Sequence, residues 1–223
     1  MKGEKKLKDF KTLTITPGML RELTVISKTE AGLPLYVKKS EDFREVAFAE
    51  LNFWSLPVCK DSRLGLIPGN LIEKARIEIT NKIDLEQFHN TPRPNMDWRK
   101  VPEDLIYKFL IYHEVGHNLC GTHPVDFIIM AGRGEITWEE YRIAIAVHEI
   151  WADKYAWQKL FPKKRVPTKW ASPQFRQRVD NFMKKHSALF SKPHQKVEPL
   201  PIDDWAMVPL EHVKNGIPFV TEN

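Results

Sequence analysis

The chain has 223 residues, 42% of them hydrophobic and 28% charged, with a formal net charge of +5. That length supports one domain with a sizeable core, and the composition excludes a disordered or fibrous chain. No apolar run approaches the roughly 18 residues of a membrane-crossing helix, so no membrane partner is expected. The basic start MKGEKKLKDF leads into no apolar stretch of the kind a secretory signal needs. Cys59 and Cys120 are too few for a disulfide scaffold and form no CxxC pair, so both are read as reduced thiols of a cytoplasmic protein. The densest positive pieces, Lys2 to Lys11 and Lys163-Lys164-Arg165, read as solvated surface. A basic balance alone gives only non-specific attraction, and nucleic acid is not an expected partner.

In chain order, residues 1–60 mix short apolar pieces with charges. Leu35-Tyr36-Val37 after Pro34 predicts a short strand. Phe43, Val46, Ala47, Glu50 and Phe53 recur at helical spacing and predict a helix from Glu41 to Phe53. Turns follow at Gly65 and Pro68-Gly69. The alternation from Ala75 to Thr80 then predicts a half-exposed strand with Ile77 and Ile79 on one face. Residues 89–101, with Pro92 and Pro94, read as a loop. Pro102 followed by Glu103 and Asp104 opens a helix, since proline loses no needed donor there and the acids suit the positive end of the dipole. That helix should run to about Leu119, with Gly121 to end it.

A loop is expected through Gly132 and Gly134. Thr137 with Glu140 makes a capping-box pattern, opening a second long helix that ends near Leu160 before Pro162. Ser172-Pro173 opens a third, amphipathic through Phe175, Val179, Phe182 and Met183. Pro193, Pro199, Pro201, Pro209 and Pro218 mark an extended tail. The organisation expected is one domain over residues 1–190 and a proline-rich extension over 191–223.

The chemistry concentrates in His113-Glu114-Val115-Gly116-His117. A helix advances about 100° per residue, so the two histidines stand about 40° apart on one face, one turn displaced. Two imidazoles so placed can reach one tetrahedral Zn²⁺. Glu114 lies about 60° further round, suited to act as a general base on water held at the metal. The apolar flank Phe109-Leu110-Ile111-Tyr112 makes three ionisable side chains costly to bury unless they share a partner. One zinc ion per chain is the expected cofactor.

Glu149 is the expected third ligand and His123 the alternative. Glu149 sits on the second long helix among Ile143, Ala144, Ile145, Val147, Ile150, Trp151, Ala152, Tyr155, Ala156 and Trp157. A helix apolar nearly all round is a buried one, and its face should reject a lone carboxylate unless a metal or a basic side chain takes it. Asp153, one turn later, could accept the second N–H of a ligating histidine. His123 belongs to HEVGHNLCGTHP, with Met130 downstream. This stretch resembles the metzincin pattern HExxHxxGxxH followed by a Met-turn, except that Cys120 occupies the glycine position and Gly121 comes one place late.

HEVGH with the downstream EIWADKYAWQKLFP resembles the ImmA/IrrE-type gluzincins over about residues 72–162. That resemblance implies an α+β, zincin-like metallopeptidase fold: a small sheet packed on an active-site helix and on a second, ligand-bearing helix. It also implies that Glu149 is the third ligand, that Arg76 to Thr80 is the strand before the active helix, and that the substrate is a peptide or protein. The edge strand carrying Ile77 and Ile79 would receive that substrate by strand addition. The rival expectation is a zincin-like module that binds a partner without cleaving it. Tyr141, Tyr155 and His194 are candidates for stabilising an oxyanion. Cys120 reads as a small core residue, His148 as packing or surface, and the tryptophans, Trp138, Trp151 and Trp157 among them, as core.

Overall fold

A computed structural model describes residues 11–40, 48–52, 76–119, 124–187, 213–214 and 217–218, and the architecture is α+β. The strand β1 (Thr12–Thr14) leads into a helix absent from the sequence reading, α1 (Pro17–Ala31). The Thr16 side chain caps its first turn by accepting from the Met19 N–H, and Pro17 stands in the first turn. Gly32, at φ +69°, ends it in the left-handed conformation that only glycine adopts without cost. Leu23 and Ser27 face the core from this helix.

Three strands form the sheet that matters for the site: β2 (Leu35–Lys38), β3 (Ala49–Asn52) and β4 (Arg76–Thr80), in the order β2-β4-β3. β2 runs parallel to β4 with Leu35 opposite Ile77, and β3 runs antiparallel to it with Leu51 opposite Ile77. Two expectations are corrected here. β4 is neither an edge nor half-exposed: it is the central strand, and Ile77, Glu78, Ile79 and Thr80 are all buried. Its alternating polar residues look solvent-facing in sequence, but Glu78 is ion-paired with both Lys38 and Arg76 and is buried with them as partners. The helix expected over Glu41–Phe53 is contradicted at its C-terminal end, where Ala49–Asn52 is a strand; residues 41–47 lie outside the described ones. Sheet pairing overrides the helical spacing there.

A second pair joins β1 to β5 (Lys82–Asp84), and Asp84 caps the short helix α2 (Leu85–Asn90). The loop that follows includes a 3-10 turn at Trp98–Lys100. A second such turn, Glu103–Leu105 after Pro102, feeds the central helix α3 (Ile106–Leu119). α3 buries nine residues from Ile106 to Gly116, His113 and Glu114 among them, so it lies inside the molecule rather than on it. The loop expected after it is instead a helix, α4 (Pro124–Gly132), in which Phe127-Ile128-Ile129-Met130 is a helical apolar run.

α5 (Trp138–Leu160) opens with both capping-box bonds in place: the Glu140 N–H donates to Thr137 Oγ1 at 3.1 Å, and the Thr137 N–H donates to Glu140 Oε2 at 2.8 Å. α6 (Pro173–His186) follows, capped by Ser172. Two apolar clusters result. One joins the sheet, α1 and α3 through Leu23, Ile77, Ile79, Phe109 and Leu110; the other joins α4, α5 and α6 through Phe127, Val147, Val179 and Phe182. α5 is not buried all round, because Trp138 and Trp151 are exposed, contrary to their expected place in the core. In the extension, β6 (Val213–Lys214) pairs antiparallel with β7 (Ile217–Pro218); the extension's other residues lie outside those described. No helix among the described residues is long and apolar enough to cross a membrane.

Candidate metal centre

The site forms where α3 crosses α5. Gly116 sets the approach: a Cβ built on it would stand 2.8 Å from the Ala152 Cα. No larger residue permits that crossing, and at that distance the side chains one turn either way meet across the gap. His113 Nε2 and His117 Nε2 lie 2.9 Å apart. Glu149 Oε2 is 3.4 Å from His113 Nε2, and Glu149 Oε1 is 3.3 Å from His117 Nε2. These three residues form the one group among the described residues whose donor atoms could jointly hold a metal ion. Ligands at about 2.0–2.1 Å in a tetrahedral zinc site stand about 3.3 Å from one another. The two histidine–carboxylate separations are of that order, each to a different oxygen of Glu149, and the histidine–histidine separation is a few tenths of an ångström short.

The outer residues are arranged around the same three. Asp153 Oδ1 lies 2.9 Å from His113 Nδ1, at hydrogen-bonding distance though bent away from the ring N–H direction. The same oxygen accepts from the Trp98 indole N–H at 3.0 Å. Of the two alternatives for His148, packing and surface, the structure shows packing, with a contact to His117 that was not expected. His148 is buried, its Nδ1 is 2.7 Å from His117 Nδ1, and the two rings stack at 4.6 Å. Each histidine thus has a companion from α5 near the nitrogen that faces away from the group, a placement that restricts how the ring can turn. Glu114 is buried, and its Oε2 accepts from the Leu51 backbone N–H on β3 at 2.7 Å.

Glu149 and Asp153 stand one helical turn apart, and Arg93 opposes both with one guanidinium, donating to Glu149 Oε2 at 2.6 Å and to Asp153 Oδ1 at 3.0 Å. One negative charge is left over, which a cation at the group or a proton on a histidine would balance. Without a metal, a proton supplies the compensation. Burial alone would push His113 down, but Asp153 and then Glu149 outweigh it and hold its pKa up at about 9. Burial likewise works to raise Glu149, yet His117 and His113 keep its carboxyl well below the usual range.

Other candidates are placed elsewhere. The Tyr155 hydroxyl donates to Glu30 on α1 at 2.9 Å. Tyr141 packs with the second apolar cluster, eight residues and so about 12 Å of helix away from Glu149. Met130 is on α4 and packs in that cluster rather than forming a Met-turn. His123, Cys120, Gly121 and His194 lie outside the described residues.

Four residues of the site, Arg93, Trp98, His148 and Leu51, were not legible in the sequence. The paired acids Glu149 and Asp153 imply a cation nearby, but nothing local singles out Arg93 between Pro92 and Pro94. No family model matches the chain, and no curated protein or solved structure matches it. The functional reading therefore rests on the residues themselves.

Proposed function

We propose that the chain is a zinc-dependent hydrolase that cleaves peptide bonds. The observation that carries the proposal is the convergence of the ligand atoms of His113, His117 and Glu149, with Glu114 next to His113 on the same helix. His113, His117 and Glu149 would hold the ion. When bound, zinc supplies Lewis acidity, lowering the pKa of water towards about 7 and drawing electron density from a carbonyl.

Glu114 supplies the proton transfer. The Leu51 N–H fixes its Oε2, which leaves Oε1 to take a proton from the attacking water and return it to the leaving nitrogen. Asp153 and His148 hold the two imidazoles in orientation throughout. An extended substrate is supported by β3, one of the two outer strands of the sheet among the described residues and the one that meets Glu114. The Thr80 N–H bonds to the Phe48 carbonyl, and antiparallel alternation then turns the backbone groups of Ala49 and Leu51 away from β4. A peptide added along β3 would run past Glu114. The strand for this role is β3, not the strand carrying Ile77 and Ile79.

One observation favours a second reading, a zincin-like module that binds a partner without cleavage: a buried Glu114 bonded to backbone can be structural. Metal analysis tests what both readings share. Protein purified without chelators is expected to hold about one zinc per chain and to lose thermal stability when a strong chelator removes it. Protein that takes up no zinc when it is supplied would remove the basis of the proposal.

A further inference from the structure

Arg93 lies behind the metal group and joins two of its parts. Its side chain is largely covered and its guanidinium sits 4.2 Å from the centre of the Trp98 ring. Nη2 donates to Glu149 Oε2 at 2.6 Å and to Asp153 Oδ1 at 3.0 Å, and Nε donates to Asp153 Oδ2 at 3.2 Å. Asp153 in turn stands 2.9 Å from His113 Nδ1. Arg93 and Asp153 therefore connect Glu149 to the Nδ1 side of His113.

Glu149 and Asp153 are like charges one helical turn apart, which repel. A planar guanidinium can hold both at once, whereas a lysine ammonium is a point charge. The contact also divides the two oxygens of Glu149. Oε2 is 3.4 Å from His113 Nε2, but it accepts the shortest of the Arg93 bonds. Oε1 faces His117 Nε2 at 3.3 Å.

We propose that Arg93 is a positioning residue that limits Glu149 to one metal-facing oxygen, Oε1. Were zinc bound, three protein donors would leave a fourth position open, as in catalytic rather than closed structural zinc sites. The proposal rests on the zinc reading above, and its test separates the two.

Cobalt(II), substituted for zinc, reports coordination number through its visible bands, which are intense for a four-coordinate ion and weak for a higher-coordinate one. Wild-type protein is expected to show intense bands. In Arg93→Met, Glu149 is free to offer both oxygens, so the bands should weaken and zinc affinity should fall about 10–100-fold. Arg93→Lys keeps the charge and serves where Arg93→Met does not fold; one ammonium cannot hold both carboxylates, so its bands should weaken as well. A folded variant with the wild-type spectrum and the wild-type zinc affinity would overturn the role of Arg93 and leave the zinc reading standing. A wild-type protein that takes up neither cobalt nor zinc would instead overturn the zinc reading, and this proposal with it.

Discussion

Gly116 on α3 and Ala152 on α5 touch backbone to backbone: a methyl group on the glycine would lie 2.8 Å from the Ala152 Cα and 3.2 Å from its carbonyl oxygen. The obstacle is main chain, which cannot swing aside as a long side chain can. Gly116→Ala therefore sets two effects against each other. Alanine gains about 1 kcal/mol over glycine as a helix former, while overpacking of this kind costs about 1–3 kcal/mol. The variant is expected to be no more stable than wild type, and less stable by up to about 2 kcal/mol. Because the helices must separate to admit the methyl group, zinc affinity should fall as well. Chemical denaturation with and without zinc measures both.

Glu149→Ala should weaken zinc binding far more than His123→Ala. Glu149 Oε1 and Oε2 lie within 3.4 Å of the two histidine nitrogens. Competition titration against a chromophoric chelator reads the two affinities directly. A protein emptied by His123→Ala but still loaded after Glu149→Ala would show that the glutamate is only the salt-bridge partner of Arg93.

If His113 ligates zinc as proposed, metal and proton compete for it. Its pKa is raised to about 9 from the ordinary 6.5. A raised value means that the protonated histidine stabilises the metal-free fold fully below about pH 6.5, and that this contribution disappears as pH climbs through about 9. A ligating imidazole must be neutral, so the zinc-loaded fold has no such proton to lose. The difference in melting temperature between zinc-loaded and chelated protein should accordingly widen from pH 6.5 to pH 9, and zinc binding in that range should release a proton. Paired thermal scans across the interval test this. A difference that stays constant would show that His113 does not exchange a proton for the metal.

The parts of this molecule written in local patterns were readable. α5 begins at its capping box, α6 at Ser172-Pro173, and the helix bearing His113 and His117 spans nearly the interval its proline start and apolar run indicate. α1 also had its signals, Thr16-Pro17 at one end and Gly32 at the other, but its moderate apolar spacing did not stand out. What could not be read was non-local. Whether Arg76–Thr80 is central or at an edge depends on where β2 and β3 pair, and Glu78 looks exposed until Lys38 is seen beside it. His148 lies about 100° round the helix from Glu149 and looks unrelated to it, yet it meets His117 because the crossing at Gly116 is so close. Arg93 is supplied by a loop 56 residues from Glu149.

The proposed role of Glu114, acting on water beside a zinc ion, is tested by the cleavage of a mixed peptide library by zinc-loaded wild type and zinc-loaded Glu114→Gln, with product termini read by mass spectrometry. Glutamine preserves size and can still accept from the Leu51 N–H, so metal content and fold should be unchanged while the base is lost. General-base assistance is worth about 10²–10⁴ in rate, and cleavage is expected to fall by at least that order. Equal cleavage by the two proteins, or none by the zinc-loaded wild type across the library, would contradict the account.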